Sequence, residues 1–418
     1  MVSPFARRQS FIAAASSSFF RGYCRCASAA GVRLPAAAAS SQRSRNPHQH
    51  WRCRHLASTA VGSTSSTNSA FDRRIKARQR DNAARAQRLW REGGGKEGDA
   101  VPAASKEEGG ASDVVNYDYF REEIAARLVD RLDDIRRDEG FPLALDLGSG
   151  PGFVYNAICA DDAVQDGGGG IGGVLKLVQL DSSSGMLYRD EDAVTLEDGA
   201  ADRCDTYRMH VEDEEKGLPF PDGTFDLVIS SASIHWVNNL PGLFKEVNRV
   251  LKPDGCFLLA MVGGTSLPEL RASLVAAELE RDGGVSPHVG PFVQLSDVGA
   301  LLQGAGFALP TVDVDTVRVA FPNAAVLMEH LQRMGEGNAC LKRRDRTPLD
   351  VFLASACLYD EMFPFEGGEG GEVEASIQII YAIGWTPHES QQRPLERGTA
   401  THTVGEIVTE PEEGDDKK

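Results

Sequence analysis

The stretch LALDLGSGPG, residues 143–152, passes from apolar residues through one acid into three glycines spaced two apart. Gly148, Gly150 and Gly152 let backbone amides approach a ligand closely. In an open α/β sheet, ligands bind beyond the carboxyl ends of the strands, and this loop directly follows a strand-like run. The dinucleotide fingerprint would place its third glycine where Phe153 stands, and no GK[ST] follows as in a P-loop. The loop alone therefore does not identify the class of ligand that it binds.

Short apolar runs alternate with helical patterns around this loop. The runs predict buried strands, because both faces of a parallel sheet are covered by helices. Between two of them, residues 240–255 carry one apolar helical stripe that ends in a Lys-Pro-Asp-Gly turn. The alternation predicts a doubly wound α/β sheet. The runs are LALDLG (143–148), KLVQLD (176–181), FDLVISS (225–231) and CFLLAMV (256–262), with IQIIYAIGW (377–385) as a late strand of the same sheet.

The two ends of the chain differ from the middle in composition. Residues 1–70 contain nine arginines, no lysine and no acid, and they are rich in Ser and Ala, which is typical of a transit peptide. Residues 71–112 combine a basic helix, interpreted as solvated rather than as a surface for nucleic acid or lipid, with a flexible linker. A further helix is predicted within 116–137. Residues 113–405 form the folded domain, and 406–418 are predicted to be a disordered tail.

The charge balance argues against some partners. The chain has 44 basic and 61 acidic residues, and without residues 1–70 it keeps 35 basic residues against the same 61 acids. A body this acidic repels nucleic acid and anionic membranes and can attract a basic partner, although an acidic surface for solubility explains it equally well. The five cysteines outside the first 70 residues are scattered, so neither a metal site nor a disulfide framework is predicted.

Further acids at strand ends favour a nucleoside ligand. Asp181 ends the second strand-like run, where its carboxylate can accept hydrogen bonds from two ribose hydroxyls. Asp213 and Glu214 follow a short third strand, TYRMHV (206–211), where a carboxylate can accept a bond from the exocyclic amine of a base. Taken singly, such an acid is better explained as a solvated or capping carboxylate. Their order and their common position at strand ends favour the nucleoside.

These segments, together with LPFPDGTFDLVISSASIHWVNN (218–239) and RVLKPDG (249–255), resemble class I S-adenosylmethionine-dependent methyltransferases. The resemblance implies a Rossmann-like, mostly parallel seven-stranded sheet with an antiparallel late strand and C-terminal helical insertions. Ser149 and Pro151 depart from the superfamily, which often has a larger or acidic residue at these positions.

The same resemblance implies S-adenosyl-L-methionine as the cofactor. The glycine loop would hold the amino-acid end of the ligand, Asp181 its ribose, and Asp213 with Glu214 its adenine. Asp146 within the opening stretch and Ser230 near the end of the fourth strand are assigned to the same cofactor site.

Four other segments resemble one particular family within this superfamily. FDRRIKARQRDNAA (71–84), residues 260–292, LQRMGEGNA (331–339) and YAIGWTPHESQQRPLERGTAT (381–401) resemble the mitochondrial complex I assembly factors that carry a methyltransferase-like fold and are assigned as protein-arginine hydroxylases. This resemblance implies a protein on the matrix side of the inner membrane, with a complex I subunit as substrate or client, no nucleic-acid partner and a peripheral contact with the membrane. The malonyl-carrier-protein methyltransferases of biotin synthesis are the nearest relatives otherwise expected.

Candidates for chemistry are few. His235 and Trp236 follow the fourth strand, where a substrate would meet the reactive end of the ligand. His235 is a candidate base, although a packed or capping histidine explains it better, and Trp236 is expected to be a wall of the pocket. The facial triad of an iron oxygenase is not recognisable in the sequence.

Two segments are assigned to substrate docking. His288 lies between two prolines, in a stretch that is either a lid or an ordinary connection. His388, Glu389 and Arg393 lie in a polar segment that either docks a peptide or caps the edge of the sheet.

Three functions remain open from the sequence. The first is an enzyme that binds S-adenosylmethionine and hydroxylates an arginine of a complex I subunit. The second is an authentic methyltransferase of a protein or a small acid, and the third is a non-catalytic assembly chaperone. The mass of the product separates them, since hydroxylation adds an oxygen atom, methylation adds a CH₂ unit and chaperoning adds nothing.

Overall fold

The computed structural model describes residues 69–91, 117–160, 169–190, 204–365, 371–392 and Gly398. The predicted transit peptide up to residue 68, the linker from residue 92 and the tail lie outside the described residues, as does Arg393.

A seven-stranded sheet runs through the centre of the fold, with the strand order β3-β2-β1-β4-β5-β7-β6. The first five strands pair in parallel, and β7 lies antiparallel between β5 and β6. The predicted sheet and its antiparallel late strand are therefore confirmed. The strands are β1 Leu143–Leu147, β2 Lys176–Asp181, β3 Asp205–His210, β4 Phe225–Ser231, β5 Leu251–Val262, β6 Ala308–Phe321 and β7 Val373–Trp385.

Helices cover both faces of this sheet. Leu145 of β1 and Val228 of β4 belong to one hydrophobic cluster, whereas the adjacent residues Ala144 and Leu227 belong to another. This alternation is what a strand buried on both faces requires. The last two helices separate β6 from β7, as expected for C-terminal helical insertions. The helices are α1 Arg73–Arg91, α2 Tyr119–Asp133, α3 Phe153–Ile158, α4 Ser184–Leu187, α5 Leu240–Val250, α6 Pro268–Arg281, α7 Leu295–Gly304, α8 Ala324–Arg333 and α9 Leu349–Met362.

The predicted helix end is confirmed, and the turn residues that follow it lie at the start of β5. The helix ends at Val250, and Leu251 already pairs with Phe225 of β4, so the Lys-Pro-Asp-Gly residues belong to β5. The register shifts between Phe225 and Leu227, and Asp254 adopts a left-handed φ of 60°. Residues 252–255 have no partner in β4 and form a bulged turn within the first part of the strand.

Helix α1 is not the solvated helix expected from its basic sequence. Lys76 is 2% exposed and Arg80 is 8% exposed, so the face that carries them is buried. This interpretation was wrong because these cations meet acids from distant parts of the chain. Within the described part of the chain, none of the helices has the length and apolar composition needed to cross a membrane.

Candidate functional site

The glycine loop lies at the carboxyl end of β1, where the sheet order reverses between β1 and β4. The backbone amides of Gly148 and Ser149 both donate to the Leu180 carbonyl oxygen, over 2.7 and 3.1 Å. Gly148 has a φ of +77°, and a Cβ built there would lie 2.0 Å from the Ser233 side-chain oxygen. Only glycine fits at this position, because any side chain would collide with the loop that follows β4.

Gly152 ends the loop as the residue that precedes the first turn of α3. Its amide donates to the Ser149 carbonyl oxygen over 3.2 Å, and its own carbonyl oxygen accepts from the Asn156 amide at 3.0 Å. A Cβ built on Gly152 would lie 2.8 Å from the side-chain nitrogen of Gln179 in β2, so the loop packs closely on that strand. The amides of Gly148, Gly150 and Gly152 are therefore all bonded within the chain. The glycine pattern predicts amides that face a ligand, whereas Gly152 starts helix α3 in the structure, so its contact with a cofactor stays a prediction.

Asp181 ends β2 beside this loop and connects three structural elements. Its Oδ2 accepts hydrogen bonds from the Gly150 amide at 2.8 Å and from the Arg80 guanidinium at 2.6 Å. Its Oδ1 accepts a hydrogen bond from the Ser183 amide at 2.7 Å. Burial alone would lower the pKa of Arg80, but the Asp181 carboxylate outweighs it and raises that pKa. A ribose that bound Asp181 would therefore have to compete with Arg80.

Asp146 is a fully buried acid near the end of β1. Neither of its carboxyl oxygens has a hydrogen-bond partner among the described residues. Burial, together with the nearby Asp181 carboxylate, raises the pKa of Asp146 well above its usual value. Such a group lacks the compensation that buried acids normally have, and a cationic ligand group would supply it.

The acids after β3 contact helix α1 and the loop after β4. Glu214 is 7% exposed and forms an ion pair with Arg73 of α1. Asp213 Oδ1 accepts a hydrogen bond from the Glu215 amide at 3.1 Å, so Asp213 caps the short helical turn that follows it. The capping explanation thus describes Asp213, and Glu214 is the acid of the two that lies against α1.

Ser230 connects the two central strands. Its hydroxyl donates to the Leu147 carbonyl oxygen over 2.7 Å, and the residue is completely buried. The side chain therefore positions β4 against the end of β1.

A further acid of the site, Glu336, lies in the segment after α8 and faces the same side of α1. Its carboxylate accepts a hydrogen bond from the Trp236 indole nitrogen at 2.6 Å and forms an ion pair with Arg121 of α2. The Lys76 ammonium lies 3.8 Å from the same carboxylate. Burial alone would raise the pKa of Glu336, but Lys76 and Arg121 hold it well below its usual value.

The two catalytic candidates differ in their surroundings. His235 is 2% exposed, its Nε2 lies 3.7 Å from a Glu336 oxygen, and burial lowers its pKa. Trp236 packs edge-on against Phe71 and Phe292, with ring centroids 5.0 and 5.2 Å apart. Trp236 lines the space between α1 and the loop after β4, which is the position expected for a pocket wall.

The residues at this site match an adenosyl sulfonium in chemistry, but little space is left for one. The unpartnered Asp146 suits an ammonium group, and Asp181 suits ribose hydroxyls. The cavity between α1 and the strand ends has a volume of about 10 Å³, whereas small-molecule sites occupy ~300–1,000 Å³. Side chains of α1 must therefore move before a nucleoside can enter. The cavity is lined by Arg73, Lys76, Ala77, Arg80, Arg121, Ser182, Ala232, Ser233, Trp236 and Glu336.

His288 lies beside a different and larger cavity of about 640 Å³. Its Nε2 lies 2.9 Å from Glu278 Oε1 and 3.2 Å from the Ser286 hydroxyl, and Ser286 donates to the same Glu278 oxygen at 2.6 Å. Burial alone would raise the pKa of Glu278, but the bonds from Ser286 and His288 lower it. These contacts fix the segment to α6, and its docking role stays a prediction.

The other docking candidates lie at the opposite edge of the sheet. β7 is antiparallel to β5 and its final residue, Trp385, pairs with Cys256 near the start of β5. His388 and Glu389 follow and are exposed, so the structure does not bring them together with the glycine loop. The Gln391 side chain donates to Asp254 Oδ1 at 2.9 Å, as expected for a segment that caps the sheet edge.

The residues that α1, α2 and the segment after α8 contribute to the site are not predicted from the sequence. Arg73, Lys76 and Arg80 recur at intervals of three and four, which places them on one face of a helix. That spacing could have indicated a shared partner. Nothing in the sequence pattern indicates that Glu336, about 260 positions later, is one of those partners. In the described part of the chain, no group of three His, Cys, Asp or Glu side chains is placed to hold a metal ion.

The chain is similar to known proteins over most of its length. Residues 145–259 match the family model of a methyltransferase domain. The mitochondrial arginine-hydroxylase NDUFAF5 of Danio rerio is 41% identical over 71% of this chain and 84% of its own length. The protein of the same name from Homo sapiens is 40% identical over 83% of this chain and 86% of its own length.

A more distant relative is the malonyl-[acyl-carrier protein] O-methyltransferase of Laribacter hongkongensis, which is 27% identical over 67% of this chain and 86% of its own length. The glycine loop, the acid at the end of β2 and the segment after β4 all lie within the matched methyltransferase domain. The chain belongs to the mitochondrial arginine-hydroxylase NDUFAF5 family.

Proposed function

We propose that this chain is a mitochondrial enzyme that binds S-adenosyl-L-methionine and hydroxylates an arginine side chain of a complex I subunit during assembly of that complex. The name of the relatives that are 40% and 41% identical supports arginine hydroxylation in mitochondria. The Arg-rich, acid-free residues 1–70 support import as a transit peptide. The proposed place of action is the matrix side of the inner membrane, with a peripheral membrane contact.

The ion pairs of the site support a cationic side chain as the substrate. Three carboxylates of the site, on Asp181, Glu214 and Glu336, each pair with an arginine or lysine of the chain itself. Carboxylates suit guanidinium groups, which stay charged and donate two parallel hydrogen bonds. These carboxylates already bind cationic side chains of the chain itself, so a cationic side chain of a client can take the place of one of them when α1 moves.

The proposed cofactor would be held by residues of β1, of β2 and of the segment after β3. Asp146 would face its ammonium group, Asp181 would accept its ribose hydroxyls after Arg80 turns away, and Glu214 lies on the side proposed for adenine. When bound, S-adenosylmethionine would supply a sulfonium with an electrophilic methyl group, which is the chemistry of methyl transfer. Insertion of an oxygen atom into an arginine C–H bond is a two-electron oxidation, so the proposed hydroxylation also requires dioxygen and an electron donor as separate co-reactants. Trp236, His235 and Phe292 form an apolar wall that would keep water from the substrate side.

A second candidate is an authentic methyltransferase. It is favoured by the methyltransferase domain over residues 145–259 and by the likeness to a malonyl-[acyl-carrier protein] O-methyltransferase. This activity would use the same cofactor but would convert it to S-adenosylhomocysteine in step with the product.

Peptide mass spectrometry of complex I subunits, from cells with and without this protein, tests the proposal. An arginine that carries one extra oxygen atom only when the protein is present is the expected result. An added CH₂ unit would favour the methyltransferase instead. Unchanged masses at every arginine, with assembly still dependent on the protein, would favour the non-catalytic chaperone.

A further inference from the structure

We infer that the Trp236 ring, the Glu336 carboxylate and the carbonyl oxygens of Gly335 and Gly337 form the binding site for the client's guanidinium, and that Lys76 of α1 is an internal occupant which the client displaces. We call these four groups the cation box. The inference rests on the proposed function and names the subsite that recognises the substrate.

The cation box surrounds the Lys76 ammonium with groups that bind cations. The Lys76 Nζ donates to the Gly335 and Gly337 carbonyl oxygens, over 3.0 Å each. It lies 3.3 Å from the centroid of the Trp236 ring and 3.8 Å from Glu336 Oε2. An aromatic face, a carboxylate and two carbonyl oxygens around one nitrogen are complementary to a positive charge.

The cation box lies where a substrate is expected. Trp236 belongs to the segment after β4, at the carboxyl edge of the sheet, and it lines the same cavity as Arg80, Ser182 and Ser233. Arg80 is one helical turn from Lys76 and holds Asp181, the proposed ribose acceptor. One face of α1 thus blocks the proposed nucleoside position and the cation box together.

Lysine is a poor match for this environment. Burial lowers the pKa of Lys76 from 10.5 to about 7, although Glu336 acts in the opposite direction. A guanidinium would stay charged in the same place, because its pKa is too high for burial to neutralise it. Its planar group can also stack on the Trp236 ring while its N–H groups reach Glu336 and the two carbonyl oxygens. An arginine from a client therefore satisfies the box better than Lys76 does.

Pulse acetylation of the full-length wild-type protein tests the displacement directly. The probe is N-acetyl-L-arginine amide, and its control is N-acetyl-L-citrulline amide, which has nearly the same shape but carries no charge. We expect the arginine amide to raise the acetylation rate of Lys76 about tenfold or more, since the amine leaves its buried position. The citrulline amide should leave the rate unchanged, and Lys245, which is exposed on α5, serves as the internal reference.

Binding to variants tests the groups of the box. The Lys76→Gln variant should bind the arginine amide about tenfold more tightly than the wild type, because Lys76 no longer competes for the box. Adding Glu336→Gln to it should remove that gain, and Lys245→Gln should bind as the wild type does. The readout is an NMR titration of the Trp236 indole N–H signal, with thermal unfolding as the check that each variant folds.

The outcomes separate this inference from the proposed function. An unchanged Lys76 acetylation rate, or an equal response to both amides, would overturn the cation box even if complex I arginines gain oxygen. If the arginine amide displaces Lys76 but no arginine of a complex I subunit changes in mass, the cation box is supported and the proposed hydroxylase function is contradicted. Should Lys76→Gln fail to fold, the acetylation experiment on the wild type decides alone.

Discussion

Asp181 accepts hydrogen bonds from Arg80, Gly150 and Ser183, so a single carboxylate joins α1, the glycine loop and the end of β2. Its neighbour Asp146 is buried without a partner among the described residues. The two acids have different roles because only one of them is compensated by the protein. Asp181 organises the loop, and Asp146 is the acid that we propose for a ligand cation.

The Asp181→Asn variant should bind S-adenosylhomocysteine at least tenfold more weakly than the wild type. The amide keeps one acceptor oxygen but loses the negative charge, and a hydrogen bond to a charged group contributes about 1.5–3 kcal/mol. Isothermal titration calorimetry on folded protein measures the change. Asp205→Asn, at an exposed position at the start of β3, is the matched control and should bind normally. Equal affinities for the two variants would contradict the assignment of Asp181 to the ribose.

Gly148 and Gly223 both have positive φ, at +77° and +60°, but differ in the space around them. A Cβ at Gly148 would meet the Ser233 side chain at 2.0 Å, whereas one at Gly223 would meet nothing within 4 Å. Gly223→Ala should therefore lower the free energy of unfolding by only the left-handed penalty of about 1–2 kcal/mol. Gly148→Ala should lower the free energy of unfolding by about 1–3 kcal/mol more than Gly223→Ala does, because the new methyl group would collide with Ser233. Urea unfolding of both variants measures the difference, and equal losses would show that Ser233 gives way freely.

At the scale of elements, the strands were predictable and the contacts of α1 were not. Buried parallel strands are continuous apolar runs, so β1, β2, β4 and β5 stand out in the sequence. The acid at each strand end could be placed from the rule for ligands in α/β sheets. The basic sequence of α1 predicts a solvated helix, because a run of cations is usually a solvated face, and this prediction is wrong.

The partners of α1 explain this failure. Lys76 donates to carbonyl oxygens about 260 positions away, and Arg80 pairs with an acid about 100 positions away. No periodicity within α1 contains information about such distant acids. Sequence reasoning therefore found the proposed cofactor acids but missed the cations and the Glu336 segment that complete the site. The same reasoning missed that Asp81 of α1 holds the helix to α4.

The Asp81→Ala variant should loosen α1 without unfolding the sheet. Asp81 Oδ1 accepts a hydrogen bond from the Ser183 hydroxyl at 2.6 Å and another from the Gly185 amide at 3.1 Å. Loss of both should raise amide hydrogen exchange in residues 73–91 about tenfold, since each bond contributes about 0.5–1.5 kcal/mol. Arg85→Ala, at an exposed position of the same helix, is the control and should exchange as the wild type does. Faster exchange in β4 and β5 as well would mean that Asp81 supports the whole domain.

At the scale of the whole molecule, the proposed site combines residues from most of the described chain. The acids of the central strands face a helix from the start of the described region, and the cation box uses a segment that follows α8. Among the described residues, the lysine and arginines that pair with these acids belong to α1 or α2. Access to the site therefore depends on the N-terminal helices as much as on the sheet.

The groups that face Lys76 make its protonation the main source of pH dependence above neutrality. Arg73, Arg80, Arg121 and Glu336 are the charged groups that act on Lys76, and Lys76 and Arg121 keep the pKa of Glu336 well below its usual value. Burial lowers the pKa of the adjacent His235 below 6.5, so this ring is neutral above pH 7. Lys76 is therefore the group of this cluster that titrates between about pH 7 and its ordinary pKa of 10.5.

Affinity for the arginine amide should consequently fall as the pH rises from 7 toward 10. Inside the box Lys76 has a pKa of about 7, and after displacement into water it returns to 10.5, so displacement takes up one proton within this range. Linkage then predicts a loss of up to about tenfold in affinity for each pH unit, and a constant affinity below pH 7 where Lys76 is protonated in both states. NMR titrations at several pH values measure the slope, and Lys76→Gln should abolish it. A slope that persists in this variant would assign the pH dependence to another group and remove Lys76 as the competing cation.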